Sequence, residues 1–209
     1  MRYLHICDPN IALREAAAST MLAAAPELRL GVSSSDWLAF HDWGYGSDLV
    51  VLRADFCDMW PALLKVRALR RLDCVVALIL PGDATSAARK RMLDAGAAAL
   101  ISESDGLEAA LTTLRNVAAD PPPLPRICEV EPILSDRVLQ VACLYASTQS
   151  PSAQDLARMF ATSVTTVRTQ LQTARRILQE SGWEASTRAE RSAALRGCGL
   201  MIGESGLVG

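Results

Sequence analysis

Two short stretches limit what the first half of this chain can become. Residues 49–52 (LVVL) and 74–80 (CVVALIL) are apolar at every position. Neither can keep one face in water, and both are short for a buried helix. Such runs are strands covered on both faces, which in soluble proteins means a parallel sheet lying between layers of helices. With them as centres, strands are predicted over 2–7, 28–33, 48–53, 74–80 and 98–102. Helical patterns fall between and after them, at 11–25, 35–42, 58–71, 86–95 and 106–119. In the 58–71 segment Trp60, Leu63, Leu64, Val66 and Leu69 form the apolar side, and Lys65, Arg67 and Arg70 form the polar one. Five β/α units joined by right-handed crossovers give an α/β domain with a five-stranded parallel, doubly wound sheet.

A sheet of this kind places its crevice at the carboxyl ends of the strands where the strand order reverses, here strands one and three. Strand one runs into Asp8 and Pro9, and strand three ends on Arg53. A cation at that tip needs a reason. Pairing of the Arg53 guanidinium with Asp8 across the crevice, and with Glu103 after strand five, supplies one without any metal ion. Asp55, two residues past the tip, is expected to point elsewhere.

Residues 119–133, ADPPPLPRICEVEPI, contain five prolines, a composition that favours stiff, extended backbone. This divides the chain into 1–118, a linker at 119–133, and 134–209. Up to residue 133 there are 13 Lys/Arg against 17 Asp/Glu; from Leu134 onward there are 8 against 6. Any nucleic-acid partner is therefore expected to touch the C-terminal part. The six cysteines form no CxxC pair and the two histidines stand apart from them, which excludes the common zinc spacings and predicts buried thiols. Cys57, read as lying on a loop, is the candidate for a redox-sensing thiol. The longest apolar runs are far too short to cross a bilayer, and Asp8 interrupts the place where a signal peptide needs its apolar core. The expectation is a cytoplasmic protein.

The C-terminal part reads as all helix, over 135–147, 152–160, 164–180 and 187–197. Ser152 and Ser163 are the expected caps of the second and third. In the third, Val167, Leu171, Ala174 and Leu178 share one face at helical spacing. Thr165, Thr166, Arg168, Thr169, Gln172, Arg175 and Arg176 lie away from it. The helix thus has one side to pack and a basic, hydrogen-bonding side to present.

These four helices resemble the LuxR/NarL-type helix-turn-helix domain. The Leu-Ser-x-Arg at 134–137, the Asp-Leu-Ala at 155–157, the Thr-Val-Arg at 166–168 and the Thr-Arg-Ala-Glu at 187–190 fall in the family's order. The resemblance implies that the third helix enters the major groove of double-stranded DNA, that Thr166 and Arg168 stand where the family contacts phosphates and bases, and that the fourth helix can serve dimerisation. The chain departs from the pattern at Thr165, where the family has Lys, and at Gln170, where it has His. The loop at 147–151 also carries two extra residues.

An α/β domain ahead of such a module resembles a NarL/FixJ-type response regulator, and RYLHICDPNIALREA and LDAGAAALI are similar to the family's receiver segments. That resemblance implies a Mg²⁺-assisted phosphoacceptor site, because phosphoryl transfer needs charge neutralisation and in-line positioning. Its parts are altered together. Pro9 replaces one of the acidic pair, Arg53 the phosphoacceptor, Leu80 or Pro81 the hydroxyl residue, and Glu103 stands at or near the lysine position. Asp8, Pro9, Arg53, Pro81 and Glu103 thus make a degenerate phosphorylation site with no metal and no cofactor.

The expected protein is a phosphorylation-independent, homodimeric DNA-binding transcription regulator. One alternative is an adaptor or anti-activator that sequesters another regulatory protein. Another is a sensor that holds a small molecule in the vacated crevice. No glycine-rich phosphate loop or nucleophile–base pair is present, so an enzyme is not expected.

Overall fold

The computed structural model describes residues 2–41, 48–55, 58–124 and 132–202. Cys57, Cys128 and residues 125–131 of the proline-rich stretch lie outside these residues. In chain order the elements are β1 (Arg2–Cys7), α1 (Ile11–Ala24), β2 (Leu28–Ser34), α2 (Trp37–His41), β3 (Leu49–Arg53), α3 (Ala62–Arg71), β4 (Val75–Leu80), α4 (Ser86–Asp94), β5 (Ala99–Ser102) and α5 (Leu107–Ala119). The helices α6 (Asp136–Ala146), α7 (Ala153–Met159), α8 (Val164–Glu180) and α9 (Arg188–Gly197) follow.

The five strands are all parallel, in the order β2-β1-β3-β4-β5. The direction of winding reverses between β1 and β3, which puts the crevice where the sequence placed it. Strand alternation divides the two cores. Val50, Leu52, Val76, Leu78 and Leu80 face the layer of α2, α3 and α4. Leu49, Val51, Val75, Ala77 and Ile79 face α1 and α5, where they meet Met21, Leu114 and Val117. Truncating a fully buried residue such as Leu78 (0% exposed) to alanine would cost about 2–5 kcal/mol.

The β1–β2 ladder has an irregularity. Leu4 pairs with Leu30, but Ile6 pairs with Ser33, so two residues of β2 stand opposite His5. The fully buried His5 ring fills the gap: its Nδ1 accepts the Val32 backbone N–H at 3.1 Å and its Nε2 lies 3.2 Å from the Asp48 carboxylate. Because Nδ1 accepts, Nε2 carries the proton and donates to Asp48. The ring covers Gly31, where an added Cβ would come within 2.4 Å of it. A side chain there and the imidazole exclude each other.

Helix α3 begins later than its pattern predicts. Pro61 is its N-cap, with its carbonyl accepting Leu64 N at 2.9 Å, and Asp58 caps the bend before it through Trp60 N. Proline has no N–H to lose there, so the first turn starts from it. Its supposed polar side is also partly buried, a correction to the pattern. Lys65 is 1% exposed, 2.5 Å from Asp58 and over the Trp37 ring, and Arg70 is packed beside Gly96. The cover comes from within the N-terminal half: Trp37 of α2 and Asp58 enclose Lys65, and Gly96 and the Cys74 carbonyl meet Arg70.

The two halves share apolar packing. Leu139, Ala142, Cys143, Leu178, Leu195, Leu200 and Met201 join the same cluster as β3, β4 and Met92. Polar contacts line the seam. Arg91 Nε donates to Cys198 O at 2.8 Å, Gln140 donates to Met59 O at 3.0 Å, and Arg67 and Arg71 both reach Asp136. Gly199, at φ +74°, lies so close to α4 that a Cβ would meet the Ala87 backbone at 2.5 Å. The four described cysteines, Cys7, Cys74, Cys143 and Cys198, are buried thiols; burial pushes Cys7 up to about 12.

Candidate functional site

Two sites were expected, one at the strand tips and one along α8. At the strand tips Arg53 is the hub. Its side chain is 14% exposed, with Nη1 2.6 Å from Glu103 and 3.8 Å from Asp8. The 3-10 turn Glu103–Asp105 after β5 delivers Glu103. Asp55 does not point elsewhere, as expected from its position, but takes the guanidinium in a two-point grip. Arg53 Nε is 2.6 Å from its Oδ1, and Nη2 donates to its Oδ2 at 3.1 Å. The chain leaves the β-strand path at Ala54, so the two-residue alternation that would turn Asp55 away no longer applies.

Burial sets the electrostatics here. Asp8 is fully buried, and desolvation raises its pKa against the opposing influences of the Asn10 N–H bond and the Arg53 charge. Asp8 Oδ1 accepts Asn10 N at 2.7 Å, its backbone carbonyl accepts Arg14, and its Oδ2 has no hydrogen bond among the described residues. Burial works against the Arg53 cation, but hydrogen bonds to Glu103 and Asp55 and the charge of Asp8 outweigh it and hold its pKa above the ordinary value. Pro81 is buried and offers no hydroxyl, and exposed Pro9 offers no carboxylate. These residues do not fit a divalent cation. A permanent positive charge already stands among the three carboxylates where the ion would have to bind.

Along α8 the division into faces follows the sequence. Val167, Leu171, Ala174 and Leu178 are buried, whereas Thr165, Thr166, Arg168, Thr169, Gln172, Arg175 and Arg176 are exposed. Ser163 caps the helix by accepting Thr166 N at 3.0 Å, and Ser152 and Asp155 form a reciprocal cap on α7. Helix α7 packs on α8 through Leu156 and Ala157, together with Val141 and Leu144 of α6. The exposed residues differ in what they hold. Arg176 is bound to Glu180 at 2.8 Å, and Thr169 donates to Thr165 O. Arg168 and Arg175 form no hydrogen bond or ion pair among the described residues.

The sequence reading missed Tyr145, Arg188 and Arg191. They close a groove of about 370 Å³ whose other wall carries Arg168, Gln172 and Arg175. The Arg188 guanidinium lies 3.9 Å from the Tyr145 ring centroid and that of Arg191 4.9 Å. The available signal was the i, i+3 spacing of two arginines in the first turn of α9, behind a Thr187–Glu190 reciprocal cap.

No family model matches the chain, and no curated protein matches it. Solved structures do match. The response regulator ChrA of a heme-sensing two-component system is 18% identical, with 95% of this chain and 98% of that chain covered and a TM-score of 0.41. RcsB from Salmonella enterica serovar Typhimurium, bound to promoter rprA in the presence of phosphomimetic BeF3-, is 12% identical over 92% and 98%, at a TM-score of 0.49. The receiver domain of the response regulator NarL from Mycobacterium tuberculosis is 16% identical over 57% and 97%, at 0.42. At such identities and scores these are resemblances in fold, and they carry no residue's role into this chain.

Proposed function

We propose that this chain is a DNA-binding transcription regulator, with residues 134–209 reading the duplex and residues 1–118 acting as a receiver-like module that works without phosphorylation. One observation carries the reading. Helix α8 buries its apolar face and leaves Arg168, Gln172 and Arg175 exposed on the other, with Arg168 and Arg175 holding no partner among the described residues. Arginine suits guanine and glutamine suits adenine in the major groove, which a helix of this length enters readily.

The receiver-like half supports the second part of the proposal. The Arg53 cluster supplies internally the positive charge that a metal ion would otherwise bring. It also fills the crevice, which speaks against a small-molecule sensor. Regulators of this architecture read paired half-sites, so we infer a homodimer. Helix α4 is covered in part by Gly199 and Cys198 of its own chain. The α1 and α5 face, which exposes Ile11 and Leu107, is the better candidate interface. No helix among the described residues is long and apolar enough to cross a membrane, and the site of action we propose is the cytoplasm.

The test is a mobility-shift measurement with the DNA upstream of its own gene, across a salt series. Specific binding that weakens as salt rises supports the proposal. Binding to another regulator without DNA binding supports the adaptor reading instead. Acetyl phosphate or beryllofluoride with Mg²⁺ should leave both intact mass and oligomeric state unchanged; a phosphoryl group on any Asp would refute phosphorylation independence.

A further inference from the structure

The groove between α8 and α9 concentrates four arginines, and none of them forms an ion pair among the described residues. Arg188 and Arg191 share the Tyr145 ring, and both are anchored. Arg188 donates to Ser150 O at 2.9 Å and Pro151 O at 3.0 Å, and Arg191 to Thr187 O at 3.2 Å and Ser186 O at 3.3 Å. These bonds fix the guanidinium planes but bring no negative charge to them. Arg168 and Arg175 face the groove from the opposite wall. Glu190, the carboxylate whose charge Arg175 stabilises, is committed to the backbone N–H groups of Ser186 and Thr187. Four like charges around one small groove repel one another unless an anion joins them.

We propose that this groove seats a phosphate of the DNA backbone, with Arg175 and Arg191 as the gripping pair and Arg188 and Tyr145 as the floor. The inference rests on the DNA-binding reading and adds α9 to the interface. Arg168 and Gln172 stand on the groove wall and on the reading face at once. A phosphate in the groove therefore fixes how α8 lies against the bases. Arginine suits the role because its planar fork matches phosphate oxygens while it stacks on an aromatic ring.

The experiment measures binding of the full chain to labelled duplex DNA, specific and random, by anisotropy over a salt series. Arg175→Gln and Arg191→Gln should each lower the slope of log affinity against log salt by about 0.9, equally on both duplexes. Arg191→Lys should restore the slope, which a planar structural role for Arg191 would not allow. Thermal melting checks that each variant folds. If the wild type binds the specific duplex and both glutamine variants keep its slope, the phosphate seat is wrong and the DNA-binding reading survives. If the wild type binds neither duplex at any salt, both fall together.

Discussion

Two arginine sites in this molecule are opposites. At the strand tips one guanidinium is surrounded by three carboxylates, two of them buried. In the α8–α9 groove four guanidiniums surround space, and among the described residues they have no carboxylate to pair with. A charge satisfied within the chain stabilises the chain, and removing it is felt in folding. A charge left unsatisfied at the surface is felt when something binds. The same residue type thus serves opposite ends, and the count of its partners tells which.

The largest effect that could break this contrast is at Arg53. Arg53→Ala leaves Asp8 and Asp55 buried without their cation, which should cost about 3–5 kcal/mol in urea unfolding. DNA affinity of the folded protein should hardly change, and adding Asp55→Asn should recover part of the loss. A stable Arg53→Ala variant with lost DNA binding would invert the comparison. Arg168→Ala is its mirror. It should cost on the order of 1–3 kcal/mol in DNA binding and relax preference at one base pair, with the melting temperature unchanged.

His5 sharpens the contrast through pH. Burial lowers its pKa, against the opposing hydrogen bond and charge of Asp48. The unfolded chain therefore takes up a proton below the ordinary histidine value while the folded chain does not. Its contribution is complete above that value and is lost as pH falls toward the lowered one. The slope is at most about 1.4 kcal/mol per pH unit. Melting curves between pH 7.5 and 5 should show this loss in the wild type and a flatter profile in His5→Gln. The smallest effect belongs to Arg176, which is spent on Glu180. Arg176→Ala should lower stability by only about 0.3–0.5 kcal/mol. It should also change the salt slope less than Arg175→Gln does, as competition DNA binding would reveal.

The sequence made the sheet legible because runs such as 49–52 and 74–80 leave no other solution, and the α8 faces legible because helical spacing separates them. The Arg53–Asp8 and Arg53–Glu103 pairs followed from opposite charges at strand ends that open on one crevice. Asp55 did not, because its place depends on where β3 gives up strand geometry. Lys65 and Arg70 were misread as a solvated side, since their burial comes from Trp37, Asp58 and Gly96, which the helix's own spacing does not reveal. Tyr145, Arg188 and Arg191 converge from α6 and α9, and no local pattern states that convergence.

Gly199 against Ala87, and Leu200 and Met201 in one cluster with β3 and β4, have a practical consequence for dissecting this protein. Cutting the chain in two would turn shared interior into two wet, sticky faces around Leu139, Ala142 and Met92. Neither fragment would be an honest sample of its half, and melting of the whole chain should proceed as one transition, with damage on either side of the seam lowering a single midpoint.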